Sequence, residues 1–276
     1  MHNPFVPETL EGWSILHQMF RVKWPEVRQL SAGERRDAAE QAVAAIATSG
    51  EEAGGSALVQ LLGHKGDLML VHFRRTVEDL SAAQLALARV PLFDLLEPTS
   101  SYVSVVELGM YDMTAKIHEQ LQARRLQQGS EQYDEAFDRE MESQRARVNG
   151  RLFTEVPRRR HVCFYPMNKR RGELKNWYVE PFADRAAMMR EHGMIGRHYA
   201  GKVTQIISGS MGLDDWEWGV DLFADDPVVF KKLIHEMRFD RASAEYAEFG
   251  PFFVGLQFSP AELDTMLDGR TPALAE

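Results

Sequence analysis

The chain has 276 residues, 44% hydrophobic and 26% charged, with a formal net charge of -9. That length holds one large domain or two ordinary ones, and the acidic balance argues against nucleic acid or an anionic membrane surface as the main partner, so an anionic ligand must be met by a local basic cluster. A lone cysteine, Cys163, excludes an intrachain disulfide and suits a reducing compartment. The opening residues Met1–Pro7 carry neither region of a signal peptide, and no apolar run is long enough for membrane insertion, so the cytoplasm is the expected location.

In chain order, Trp13–Val22 reads as a strand, and a helical stretch rich in Ala and Glu follows from about Ser31 to Ala47, ending before Gly50. Strand candidates come at Ala57–Gly63 and Asp67–Phe73, a second helix near Val77–Ala88, and another strand at Tyr102–Leu108. Residues 112–149 are highly charged and helix-prone, with a break at Gly129-Ser130, and read as a solvated connector. The order then repeats: strand His161–Met167, helix Phe182–His192, strands Lys202–Ser208 and Trp216–Phe223, helix Pro227–Met237, a short helical turn from Asp240, and strand Phe252–Phe258. A local echo supports the repeat: Gly66–Phe73 resembles Asp215–Phe223, and each precedes a helix and then a strand.

Strand-helix-strand-strand-helix-strand, twice, is a duplicated ferredoxin-like (βαββαβ) unit in the α+β class. Two such units would lay their sheets around an apolar interior as a dimeric α+β barrel within one subunit. The expected divisions are an N-terminal half over residues 1–111, a charged connector over 112–150 and a C-terminal half over 151–276.

The most informative stretch is Tyr165-Pro166-Met167-Asn168-Lys169-Arg170-Arg171. Alternation along a strand aims Tyr165, Met167 and Lys169 the same way. A redox-capable phenol, a thioether and an ammonium on one surface fit a site for an anionic, oxidisable ligand. Tyr165 can equally be a strand aromatic, and Pro166 points to an edge or irregular strand. Lys169, Arg170 and Arg171 are either a solvated turn or a carboxylate-capturing cluster. His192 closes the predicted helix, with Gly193 and Gly196 placed to stop it. There it can reach a flat metal cofactor axially, or simply satisfy the helix C-terminus. Gln205, between Val203 and Ile207, is a polar group on an apolar strand face, paired internally or facing a ligand cavity. Ser243 follows Asp240 in the first turn of a short helix, where helix-start chemistry accounts for it. Arg151 alone says little, and Trp216 and Trp218 read as core. No zinc pattern, phosphate loop, dinucleotide fingerprint or nucleophile elbow is present.

Taken together, Tyr165–Arg171, His192-Gly193-Met194-Ile195-Gly196-Arg197, Tyr199–Ile207, Asp214–Val220 and Arg238–Ser243 resemble the coproheme decarboxylases, the hydrogen-peroxide-dependent heme synthases of the chlorite dismutase-like superfamily. The match is dense from Arg151 to Gln257; the connector near Gln122–Glu142 is longer or more charged than the family pattern. The resemblance implies a homopentamer of barrel-like subunits. It implies His192 as the proximal iron ligand, Tyr165 as the tyrosine that becomes the oxidising radical, and Lys169 as partner of the reactive carboxylate. Arg151, the strand Tyr165-Pro166-Met167-Asn168-Lys169 and Ser243 match positions that hold the porphyrin propionates. Gln205 matches the distal glutamine of the Firmicutes-like branch; chlorite-degrading relatives have an arginine on that side and the actinobacterial branch a histidine, so Gln205 argues against chlorite as substrate.

The implied reaction converts Fe-coproporphyrin III (coproheme) to heme b. Hydrogen peroxide drives oxidative decarboxylation of two propionates, with the iron porphyrin itself as redox centre. Transient contact with the coproporphyrin ferrochelatase is a further expectation. The alternatives are a chlorite dismutase or heme peroxidase on the same fold, and a non-enzymatic heme carrier or sensor.

Overall fold

A computed structural model describes residues 6–47 and 53–275. The opening residues Met1–Phe5 and the expected helix stop near Gly50 lie outside them. The first half contains β1 (Thr9–Val22), α1 (Trp24–Val27), α2 (Ala32–Ile46), β2 (Gly55–Leu61), β3 (Leu68–Arg74), α3 (Val77–Ala88), α4 (Pro91–Asp94) and β4 (Leu96–Gly109). Next come α5 (Tyr111–Ala123) and α6 (Glu131–Leu152). The second half contains β5 (His161–Lys169), α7 (Phe182–His198), β6 (Val203–Gly209), β7 (Trp218–Ala224), α8 (Val228–Met237), α9 (Arg241–Ala244), β8 (Ala247–Phe249), β9 (Phe253–Phe258) and α10 (Leu263–Leu267).

Helix starts follow the local chemistry. Ser31 caps α2 through a full capping box with Glu34, and Thr76 caps α3 through the Asp79 amide. Each half has the strand order expected of its unit, β4-β1-β3-β2 and β9-β5-β7-β6. The halves join edge to edge, β2 against β9 and β4 against β6, and the pairing of β5 with β7 closes the sheet into an antiparallel barrel, with β8 added outside β5. Both seams need glycine. A Cβ on Gly255 would strike the Gln60 carbonyl, and one on Gly209 would strike the Glu107 carboxylate.

The barrel interior is filled by Ile15, Met19, Val59, Val71, Phe73, Phe164 and Phe223 among others. It is not wholly apolar, as the sequence reading expected. His17 Nε2 lies 2.9 Å from Asp221 Oδ1, both fully buried, and the His17 ring stacks on Phe164 at 3.9 Å. A buried charge persists only when paired, and here each group is the other's partner. Outside the barrel, α2, α4 and α10 cover the first half through Phe20, Ile46, Leu58, Leu70, Phe258 and Leu263. The outer face of the second half lies under α7 and α8.

Segment 112–149 is not merely a solvated connector. Helices α5 and α6 form a hairpin with its own small core of Ile117, Leu121, Tyr133, Ala136 and Phe137. The turn between them contains Arg125, with φ of 58°, and Gly129, with φ of 82°.

His72, on the helix-facing side of β3, has no exposed surface, and its Nδ1 sits 2.8 Å from Ser56 Oγ. Burial, the Arg74 charge and the His17 charge pull its basicity down to about 3 from 6.5. An unfolded histidine takes up a proton near pH 6.5 while the folded one stays neutral, so stability is lost as pH falls through this window. Urea unfolding is expected to show a loss of about 2 kcal/mol between pH 7 and pH 5 from this residue, at about 1.4 kcal/mol per pH unit once well below the unfolded value. His72→Gln should flatten that slope; an unchanged slope in the variant would refute the assignment.

Candidate functional site

The site is built on the outer face of β5, β7 and β6. Tyr165, Val220 and Ile207 are in register across these strands, and Cys163, Leu222 and Gln205 form the neighbouring row. Tyr165, Met167 and Lys169 do share a face, as strand alternation requires: Tyr165 and Met167 belong to the apolar cluster under α7 and α8, with Ile195, Tyr199, Phe230 and Leu233. Gln205 lies on that same side, between Val203 and Ile207, and remains exposed. Side chains of Pro166 and Asn168 alternate to the other face. Asn168 Oδ1 accepts from the Glu217 amide at 2.7 Å, so it is used within the protein.

Pro166 does not mark an edge strand. β5 has β7 on one side and β9 then β8 on the other. The proline falls where β9 pairing ends at Phe164 and β8 pairing begins at Met167, and its carbonyl accepts from the Gly250 amide at 2.8 Å. A strand residue's N–H and C=O point the same way, so the missing donor coincides with the gap between partners.

Tyr165 is 3% exposed and stacks on Phe252 at 4.5 Å, with Phe249 at 5.7 Å. Burial pushes its phenol well above the ordinary tyrosine range, reinforced by Cys163 and opposed by the Arg238 charge, so it stays protonated at neutral pH. Arg238, not singled out from sequence, lies 3.9 Å over the Phe249 ring. Lys169 is 8% exposed; its Nζ donates to the Ala242 carbonyl at 2.9 Å and sits 4.5 Å over the Trp177 ring. Burial pulls its basicity down to about 8, while the Asp240 and Glu217 charges pull the other way.

His192 faces this surface from α7. The helix does not stop there: it continues to His198, and Gly193 and Gly196 lie inside it. Ile195 and Tyr199 pack on the apolar cluster and carry the helix on, and the left-handed residue beyond its end is Gly201, with φ of 80°. Interior glycines cost a helix about 1 kcal/mol each relative to alanine. Here they leave space: a Cβ on Gly193 would touch nothing within 4 Å, and one on Gly196 only the Met237 methyl at 3.6 Å and Gln205 Oε1 at 3.9 Å. His192 and Gly196 are one turn apart, so Gln205 and the histidine border the same space.

His192 Nδ1 lies 2.9 Å from Asp240 Oδ2. Asp240 is 1% exposed and caps α9, accepting from the Ser243 amide at 2.8 Å and the Ser243 hydroxyl at 3.1 Å. Burial raises its proton affinity, but the hydrogen bond and charge of His192 and the two Ser243 hydrogen bonds outweigh it and hold the carboxyl below its ordinary value. The ionised carboxylate fixes the proton on Nδ1 and leaves Nε2 as a free ligand atom, the pattern of a metal-binding histidine with a supporting carboxylate. A histidine so supported, with glycine at 193 and 196 leaving room beside it, suits axial ligation of a flat metal cofactor.

Ser243 thus supports Asp240 and, at 3.4 Å, His192 Nδ1. Arg151 is exposed in the last turn of α6 and makes no hydrogen bond or ion pair with another described residue. The structure therefore brings together Tyr165, Met167, Lys169, His192, Gln205 and Ser243, turns Pro166 and Asn168 to the other face of β5, and leaves the exposed Arg151 without a partner among the described residues. Sequence reasoning missed Glu217, Trp177 and Arg238, and saw Asp240 only as a helix start; no local spacing ties them to β5 or α7.

The chlorite dismutase family model matches residues 35–258. The chain is 40% identical over 257 residues to the coproheme decarboxylase of Staphylococcus saprophyticus, covering 91% of this chain and 94% of that one. It is 43% identical over 264 residues to a protein of Natronomonas pharaonis provisionally named heme-binding, covering 94% of this chain but only 41% of that one. A Haloquadratum walsbyi relative with the same kind of name is likewise spanned over only 48% of its length. Among solved structures, a heme-binding protein from Thermus thermophilus superposes with a TM-score of 0.79 at 38% identity, over 97% of this chain and 100% of that one. A chlorite dismutase variant from Candidatus Nitrospira defluvii shares the fold at a TM-score of 0.66 and 19% identity, over 94% and 96% of the two chains. The chain belongs to the chlorite dismutase-like family.

Proposed function

We propose that this chain is a coproheme decarboxylase, binding Fe-coproporphyrin III and converting it with hydrogen peroxide to heme b. The observation that carries the reading is the facing pair of elements: a histidine with a free Nε2 and a carboxylate on Nδ1, opposite a strand presenting a buried phenol and a buried ammonium. The 40% identical coproheme decarboxylase supports the same activity.

In this reading, the bound iron porphyrin and peroxide supply the oxidising equivalents. His192 Nε2 holds the iron. Tyr165, kept neutral by burial, would yield its phenolic hydrogen atom to the peroxide-derived oxidant and recover one from the propionate carbon. The propionate loses carbon dioxide and becomes a vinyl group; with one proton taken up, each peroxide leaves as two waters. Lys169, charged below about pH 8, pairs with the reacting carboxylate. Gln205, bordering the space beside Gly196, would offer the ligand an uncharged hydrogen-bonding amide. Two rounds give heme b.

Two relatives bearing heme-binding names favour a second reading, a heme carrier using the same pocket. One experiment separates the two. Ferric coproheme is added to the protein, and the absorption spectrum and porphyrin mass are followed before and after peroxide. The decarboxylase yields masses falling by two successive carboxyl losses. A carrier binds heme b tightly and leaves coproheme intact, which would overturn the proposal. Rapid oxygen release from chlorite would instead mark a chlorite dismutase.

A further inference from the structure

The segment Asp214-Asp215-Trp216-Glu217-Trp218 has no task in the chemistry above, yet it is bound on every side. Asp214 Oδ2 accepts from the Val103 amide at 3.0 Å, the Trp216 carbonyl accepts from the Tyr102 hydroxyl at 3.2 Å, and the Glu217 carbonyl accepts from the Ser210 amide at 2.7 Å. Glu217 itself is 7% exposed, a carboxylate at the edge of the site. Its Oε2 accepts from the Lys169 amide at 2.9 Å, while its own amide donates to Asn168 Oδ1 at 2.7 Å. Arg171 Nε lies 3.6 Å from Oε1, and the Tyr178 hydroxyl shares the carboxylate.

This exchange sits where the β5–β7 ladder stops, while β8 still pairs with β5 on its other side. Register pairing between β5 and β7 ends at Met167 with Trp218. One residue further, the two side chains continue the ladder reciprocally and tie down the residue whose side chain reaches the site. Strand ends fray unless their backbone groups are satisfied. We propose that Glu217 is a positioning residue for Lys169: its buried carboxylate fixes the Lys169 backbone at the end of β5 and so sets a negative charge beside the residue that carries the buried ammonium.

The groups around that ammonium are few. The charges that favour its protonated form against burial are those of Asp240, at the start of α9, and Glu217, just before β7. The Trp177 ring and the Ala242 carbonyl complete the enclosure. Arg170 and Arg171 are turned toward Glu248 and Glu217. Asp240 is already shared with His192 and Ser243, so Glu217 is the carboxylate free of the iron-binding histidine. In the reaction, the role rests on the coproheme reading: a neutral Lys169 cannot pair with a propionate.

The test is made on porphyrin-free protein, so it can fail independently of that reading. With ε-carbon-labelled lysine, the Lys169 signal is assigned from Lys169→Arg and titrated by NMR. Glu217→Gln keeps an acceptor of the same shape but no charge, and the Lys169 midpoint is expected to fall by about one pH unit, the effect of a unit charge nearby in a partly wet site. Glu217→Asp restores the charge and should return the midpoint toward the parent value. An unmoved midpoint in Glu217→Gln overturns the proposal. A second measurement needs no variant: the Lys169 amide should exchange slowly although it lies past the register pairing of β5 with β7, and free exchange would overturn the clamp. With coproheme present, the alkaline fall in affinity should move to lower pH in Glu217→Gln by the same amount. If the parent protein shows no Lys169-dependent fall at all, the coproheme role of Lys169 fails while the titration still decides on Glu217.

Discussion

Tyr165→Phe is expected to bind ferric coproheme with the parent affinity and form no heme b. The ring contributes to the apolar face and stacks on Phe252 at 4.5 Å, and phenylalanine preserves both. What it removes is the O–H. Burial holds that phenol protonated far beyond neutral pH, so the group available to the ligand is a neutral hydrogen-atom donor and not a phenolate. A relay that surrenders and reclaims a hydrogen atom has no substitute in a phenyl ring. The rate of carboxyl loss is expected to fall on the order of 10³-fold or more, above about 4 kcal/mol of barrier. Binding should change by less than about 1 kcal/mol, since only one hydroxyl is lost. Mass spectrometry of the porphyrin after peroxide, beside a spectroscopic binding titration, checks both halves. Heme b at the parent rate would end the relay role; loss of binding together with turnover would mean that the hydroxyl serves to hold the ligand.

The sequence made much of this arrangement legible because strand alternation and repeated element order are local properties. The shared face of Tyr165, Met167 and Lys169 follows from a period of two, and the strand orders of both halves follow from the repeated βαββαβ pattern. Chain order alone did not show how the halves meet, since edge pairing of β2 with β9 joins residues far apart in sequence. The end of α7 was misplaced because a glycine after a helical run reads as a stop. Gly193 and Gly196 are instead interior residues whose missing side chains leave space beside the histidine. The helical character of 112–149 and its break at Gly129-Ser130 were legible, but charge hid the small core that makes α5 and α6 a packed hairpin: Tyr133, Ala136, Phe137, Ile117 and Leu121 in an otherwise polar stretch. Asp240 and Glu217 were invisible as site residues, because their partners, His192 and Lys169, lie 48 residues away in each case.

His192→Ala is expected to abolish axial iron binding, and Asp240→Asn to weaken it. The histidine supplies the ligand atom, so its removal should cost more than about 100-fold in affinity for ferric coproheme, given that removing supporting groups alone typically costs 10–100-fold. Free imidazole should restore the parent spectrum in the alanine variant, because the strip beside Gly193 is open to a small ring. Asn is the informative change at Asp240, for it caps a helix as well as aspartate does and so leaves α9 intact. It keeps an oxygen for the His192 Nδ1 proton but loses the charge, making Nε2 a weaker donor; affinity should fall about 10–100-fold. The two variants also read different things. The alanine result establishes which residue holds the iron. The asparagine result measures what the buried carboxylate adds, and an unchanged affinity there would show that Asp240 serves only to start α9.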